Sequence, residues 1–254
     1  MKFALVNGQR QEAQPNLSGE CRFCGSPMVA KCGETRVWHW AHKGHRLCDP
    51  WWENETEWHR AWKNQFRVDW QEVVHTAENG ERHIADVKTD RGWVMEFQHS
   101  SMKPEERRSR EAFYPKLIWV VDGTRRKRDR AQLIRAWNDG VPFRGSPLVR
   151  KPFSDDCGLL REWAGSNAPI FFDLGEMERL WWLFAKSTNA WVYLAHFPRA
   201  QFIECHRSPA TEIPRQFDEF VSDIPKLIAD YESRAQPLRW DPLQPRGLRR
   251  SFRL

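Results

Sequence analysis

The chain has 254 residues, 40 % of them apolar, 15 of them tryptophan, and a formal net charge of +6. That length and apolar content suffice for one large domain or a core domain with added modules, and the basic balance favours a polyanionic partner. No apolar run approaches the ~20 residues that cross a bilayer, which argues against a membrane partner.

The opening MKFALVNGQRQ has too short an apolar stretch for a signal peptide, so the expectation is a cytoplasmic protein. Its six cysteines then read as reduced thiols or metal ligands. Cys21 and Cys24 have C-x2-C spacing, and Gly25 frees the turn after them. His39 and His42 follow in WHWAH, giving C-x2-C-x14-H-x2-H. Zn²⁺ takes four such ligands tetrahedrally, and in so short a segment it substitutes for an absent core. Cys32, His45 and Cys48 lie in the same stretch as alternates for one of the four. A closed set of four makes the zinc structural.

Asp49-Pro50 breaks the chain, and the spacing then predicts a helix over 52–66, capped by Asn54 or Thr56. Trp58, Trp62 and Phe66 recur at i, i+4, i+8 as a buried stripe. Glu55, His59 and Lys63 form a second stripe, and Glu57 lies off both. A polar stripe beside an apolar one is either a solvated face with i,i+4 pairs or a functional one.

Two extended segments follow, 81–90 and 93–100, after a first strand over 73–76 and an Asn79-Gly80 turn. They carry Asp86, Glu96 and Gln98 at the spacing D-x9-E-x-Q, with Glu96 and Gln98 on the strand face opposite Met95 and Phe97. Two carboxylates at neighbouring strand positions repel unless a cation lies between them; Mg²⁺ or Mn²⁺ suits oxygen ligands and phosphate chemistry. The bland alternative is exposed acids pairing with Arg82 or Lys88.

A helix starts near Pro104 and brings Arg107, Arg110 and Tyr114 within a turn of one another. They either contact phosphate and sugar or pair with Glu105, Glu106 and Glu111. LIWVVDG reads as a central strand covered on both faces. The run after it, with Arg125, Arg126, Lys127 and Arg128, is placed where phosphate contacts carry affinity rather than sequence specificity. Beyond the turn-rich 138–152, PIFFDLG and WVYLAHFPRAQFIECHR read as strands around a short apolar helix, EMERLWWLFAK. Trp181, Trp182 and Phe184 are assigned to the core rather than to a base-stacking platform. Residues 216–233 have helical spacing, and the basic, Pro-interrupted end reads as a tail.

Taken in order, CRFCG with WHWAH, ETEWHRAWK, HIADV, MEFQHS and RRSREAFY resemble the CoiA-like competence proteins of the PD-(D/E)xK nuclease superfamily. The resemblance implies an α/β fold: a restriction-endonuclease-like core, a mixed sheet flanked by helices, with an N-terminal zinc-finger module and a small α+β C-terminal region. The corresponding segments are 1–50, 51–140 and 141–254. It further implies a metal-dependent nuclease acting on DNA, single- or double-stranded, with other DNA-processing proteins as further partners. Asp86 and Glu96 would hold Mg²⁺ or Mn²⁺, the first-helix acid would be Glu55 or Glu57, with His59 nearby, and Lys63 would contact the nucleic acid. Two positions depart from the pattern: Ala85 stands at the name-giving Pro, and Gln98 at the usual Lys, which removes a fixed positive charge.

Overall fold

In the computed structural model, residues 1–44, 48–51, 53–143, 146, 148–184, 190–207 and 212–234 are described. Among them the strands form a five-stranded and a nine-stranded sheet. The small sheet holds β1 (Phe3–Val6), β2 (Gln9–Glu12), β3 (Ser18–Glu20), β4 (Pro27–Lys31) and β5 (His39–His42), in the order β2-β1-β3-β4-β5. Its core is thin: Met1, Ala4, Met28 and Trp40 with the buried Cys21. A module with so little apolar mass fits the case for a metal as its staple.

Helix α1 (Glu57–Lys63) leads into the large sheet. Thr56 fixes where the helix begins: it is extended (φ −114°, ψ 167°), and its hydroxyl accepts the His59 N–H at 3.2 Å. The helix is therefore shorter than the periodicity predicts. Residues 53–56 approach it as non-helical chain, and Trp52 lies outside the described residues. Next come β6 (Gln71–Thr76), β7 (Arg82–Lys88) and β8 (Val94–Gln98), the expected antiparallel meander. Helix α2 (Pro104–Phe113) crosses over to β9 (Leu117–Asp122), which is parallel to β8.

The sheet does not stop at the turn-rich segment. After α3 (Asp129–Asp139) come β10 (Val141–Pro142), β11 (Val149–Lys151), α4 (Gly158–Trp163), β12 (Ile170–Asp173), β13 (Arg179–Leu183) and β14 (Leu194–Pro198). The strand order is β10-β11-β14-β13-β12-β9-β8-β7-β6, and β12 lies parallel to β9. Strands from both sides of residue 140 thus share one mixed sheet. Helices α5 (Arg199–Arg207) and α6 (Glu212–Arg234) close the described chain; His45 and the basic tail fall outside it.

Alternation along β9 explains the two cores. Leu117, Trp119 and Val121 pack with α2, α3 and α4 on one face, and Ile118 and Val120 face α1, α5 and α6 on the other. The same alternation corrects one expectation: Arg179–Leu183 is a strand and not a helix. Trp181 and Leu183 face the first core, Leu180 and Trp182 the second. A strand buried on both faces shows no polar period, so its apolar run mimics a buried helix. The core assignment of Trp181, Trp182 and Phe184 agrees with their burial. The long extended reading after Trp191 also divides: β14 ends at Pro198, and Arg199 onward is α5. Among the described residues no helix is long and apolar enough to cross a membrane.

Candidate metal centre and acid cavity

In the N-terminal module, ligand atoms of Cys21, Cys24, His42 and Cys48 all lie within 4.8 Å of one another. Cys21 Sγ and Cys48 Sγ are 3.7 Å apart, and Cys24 Sγ and His42 Nε2 3.3 Å. Two sulfurs at ~2.3 Å from one tetrahedral ion would be roughly 3.8 Å apart, so the set fits Zn²⁺. Gly25, at φ +71°, turns the knuckle, and its N–H donates to the Cys21 carbonyl at 2.9 Å. The Cys21 thiol is drawn down to about 4, first by the Cys48 sulfur and then by backbone N–H groups, against the opposing effect of burial. The same contact pushes the Cys48 thiol up.

His39 is not a ligand, which corrects the expected set. His39 and His42 are three apart on a strand, hence on opposite faces, and the His39 Nδ1 meets the Val37 carbonyl at 2.9 Å instead. Cys48 takes its place. Cys32 packs against the small apolar core outside the cluster.

The large sheet opens at its acidic end. Glu72 has φ +46°, a left-handed conformation rarely adopted in mid-strand and costing about 1–3 kcal/mol. It interrupts the β6–β7 ladder between the pairs Gln71↔Val87 and Val73↔Ala85, opposite Asp86. Its carboxylate holds it there by accepting the Lys2 N–H at 2.6 Å, the Phe3 N–H at 3.0 Å and Lys63 Nζ at 3.0 Å. These bonds also fasten the small sheet to the large one. On the other side, β7 and β8 pair through Val87↔Met95 and Lys88↔Val94. Beyond them side chains take over the ladder: Asp86 Oδ2 accepts the Phe97 N–H at 3.0 Å, and Glu96 Oε1 the Asp86 N–H at 3.4 Å.

Asp86 and Glu96 therefore face one another across a splayed hairpin. Burial, with Asp86 next, pushes the Glu96 carboxyl up to about 8 despite Arg110 Nη1 at 2.9 Å from its Oε2. Burial likewise raises Asp86, against the pull of Lys63 and His59. Lys63, 2 % exposed, lies 2.7 Å from Glu55, 3.0 Å from Glu72 and 3.8 Å from Asp86 Oδ1. Burial opposes its charge, but the three carboxylates together raise it. Burial also opposes ionisation of Glu55, yet Lys63 and the other cations around it hold that carboxyl at about 2. These groups line a cavity of about 40 Å³, room for a few water-sized oxygens.

The expected residues separate on this geometry. Asp86, Glu96, Gln98, Glu55, His59 and Lys63 converge on the cavity, whereas Glu57 is exposed and lines a neighbouring, larger one. Glu53 joins them without having been anticipated. Its carboxylate accepts from Gln98 Nε2 and the Ser100 hydroxyl, and lies 3.7 Å from His59 Nε2. Gln98, whose amide nitrogen donates to Glu53 and to the Ser100 carbonyl, lines the cavity, and its carbonyl oxygen has no hydrogen-bond partner among the described residues. The signal for Glu53 lay in Thr56: a cap there leaves Glu53 and Glu55 two apart on extended chain, on one side.

The second helix resolves in favour of internal pairing. Arg107 donates to the Glu162 carbonyl at 2.7 Å and lies 3.6 Å from Glu111; Arg110 binds Glu96, Glu106 and the Trp51 carbonyl; Tyr114 is buried. None of these three presents a free surface to phosphate. Arg125 and Arg126 are paired with Glu162 at 3.8 and 2.9 Å, while Lys127 and Arg128 are exposed.

Apart from the Cys/His set, no group of three or more Cys, His, Asp or Glu ligand atoms this close occurs among the described residues. A cation between Asp86 and Glu96 would thus draw its other ligands from water and substrate, as Mg²⁺ commonly does. The donor chemistry fits: two crowded carboxylates, each with one oxygen not firmly bound, beside a fixed ammonium. No family model matches the chain, and no curated protein or solved structure matches it either.

Proposed function

We propose that the chain is a divalent-metal-dependent deoxyribonuclease with a restriction-endonuclease-like core, of the CoiA-like type and linked to competence or the processing of incoming DNA. The observation that carries it is the splayed β7–β8 hairpin, where half-buried Asp86 and buried Glu96 face one another at a cost that a bound cation would relieve. Asp86 and Glu96 would hold Mg²⁺ or Mn²⁺, which when bound polarises the phosphate and lowers the pKa of an attacking water. Gln98 offers its carbonyl oxygen to orient that water, and Glu53 fixes the amide so that it cannot turn away. The positive charge missing at position 98 is supplied by Lys63, whose ammonium reaches the Asp86 carboxylate from α1. Zinc at Cys21, Cys24, His42 and Cys48 is structural. The exposed Lys127 and Arg128 contribute phosphate contacts that fix DNA without reading it.

A DNA-binding accessory protein retaining this core is the second reading, favoured by the commitment of both Gln98 amide hydrogens to protein groups. Wild type and Asp86→Asn are compared on labelled single- and double-stranded DNA with Mg²⁺, Mn²⁺ or chelator. The nuclease reading expects cleavage with metal only, and a loss of about 100-fold or more in the variant. Cleavage that survives the substitution would overturn the assigned site; binding without metal-dependent cleavage would establish the accessory reading.

A further inference from the structure

A second pair of titratable groups lies beside the acid cavity, and the reading above leaves it unused. His99 directly follows β8, and its Nδ1 lies 2.7 Å from Asp122 Oδ2 at the end of β9. Asp122 is 4 % exposed, and its other oxygen accepts the Thr124 N–H at 2.8 Å and the Thr124 hydroxyl at 2.6 Å. A carboxylate anchored on one oxygen presents the other as a fixed acceptor, so His99 carries its proton on Nδ1 and its ring is held in one orientation. The His99 Nε2 has no hydrogen-bond partner among the described residues, and the side chain is 37 % exposed. It lines a cavity of about 440 Å³ that shares Asn54 and Glu55 with the acid cavity. The His59 and His99 ring centroids are 6.3 Å apart, and His59 lines the acid cavity, so His99 lies one side chain away from it. Glu55, Glu57, Arg36 and His39 are the charged or titratable groups across that space.

We propose that His99 is the general acid of the cleavage, with Asp122 as its positioning residue, and that the larger cavity receives the departing end of the strand. The proposal rests on the nuclease reading. As the water oxygen bonds to phosphorus, the bond from phosphorus to the leaving deoxyribose oxygen breaks and its electron pair passes to that oxygen. His99 acts as the imidazolium: its Nε2 proton moves onto that oxygen, leaving the neutral ring with its remaining proton on Nδ1 toward Asp122, and the ring regains a proton from solvent; the proton lost by the water also goes to solvent.

The test compares ordinary DNA with DNA carrying sulfur in the bridging position, on the 3′ or on the 5′ side of the phosphate. A thiolate leaves without being protonated. His99→Gln should slow ordinary cleavage by about 100-fold, and one of the two sulfur substrates by no more than about threefold. Asp122→Asn should do the same more weakly. In long-range ¹H–¹⁵N spectra of the metal-free protein, it should also shift the Nδ1 signal of an otherwise folded chain. Equal slowing on all substrates overturns the general acid while leaving the nuclease reading intact, provided Asp86→Asn still abolishes cleavage. Absence of metal-dependent cleavage by wild type on any of them overturns both.

Discussion

Glu96 is where residue-scale chemistry is most exposed to measurement. Its carboxyl is pushed up to about 8 from a usual 4.5, by burial first and by Asp86 second. Between those values the folded chain keeps a proton that the unfolded chain has released, so folding takes up a proton and stability falls as pH rises. The penalty is absent below about pH 4 and fully developed above about pH 8, by the same linkage. Glu96→Gln is neutral throughout. In chelator, its melting temperature should therefore gain on wild type from pH 5 to pH 8, by several degrees at the upper end. Addition of Mn²⁺ at pH 8 should stabilise wild type and leave the variant nearly unchanged. Parallel melting curves across that pH range would show that the two acids are not in conflict. The acids themselves were legible from D-x9-E-x-Q, since apolar neighbours at alternate positions fix which strand face they occupy. Glu53 and His99 were not, because each acts from chain outside the regular elements, where period carries no information.

At the scale of the element, the strand period decides which histidine joins the Cys/His cluster. Two histidines in HWAH look like a pair by spacing, but a strand sends i and i+3 to opposite faces. Only His42 turns toward Cys21 and Cys24, and Cys48 arrives from the following loop. His39→Ala should retain about one zinc per chain, whereas Cys48→Ser should lose metal at least 10-fold more readily to a competing chelator and melt earlier. Metal analysis and a chelator titration distinguish these outcomes; equal loss in both variants would restore His39 to the set. The same element-level ambiguity explains Arg179–Leu183. Its burial on both faces erased the alternation that identifies a strand, and only pairing with β12 and β14, invisible in local sequence, settles it. The first helix was legible in its core stripe and overextended at its start, because Asn54 and Thr56 are both competent caps and only Thr56 meets the His59 N–H.

For the molecule as a whole, the turn-rich stretch around residue 140 matters less than the strand that returns after it. β12 pairs with β9 on the side away from β8, and its last residue anchors the helix that carries Lys63 and His59. Asp173 Oδ2 accepts the Trp58 and Trp62 indole N–H groups at 3.0 and 2.9 Å, and its Oδ1 lies 2.9 Å from Arg199 Nη1. Trp62 is fully buried, so removing its acceptor leaves an indole N–H without water or protein. The acid cavity is thus held from behind by residues far along the chain, although every group that lines it precedes residue 111. Two consequences follow from this dependence. A fragment of residues 1–143 keeps all the proposed catalytic groups, yet it leaves an open edge at β9 and strips both cores of their second half. It should show no cooperative thermal transition and no metal-dependent cleavage. Asp173→Ala in the full chain should fold but lose about 3 kcal/mol or more in denaturant titration, since an arginine and two indoles lose their partner together. A fragment that melts cooperatively and cleaves DNA would mean that the first half of the sheet is self-sufficient, and that Asp173 is not needed to support the site.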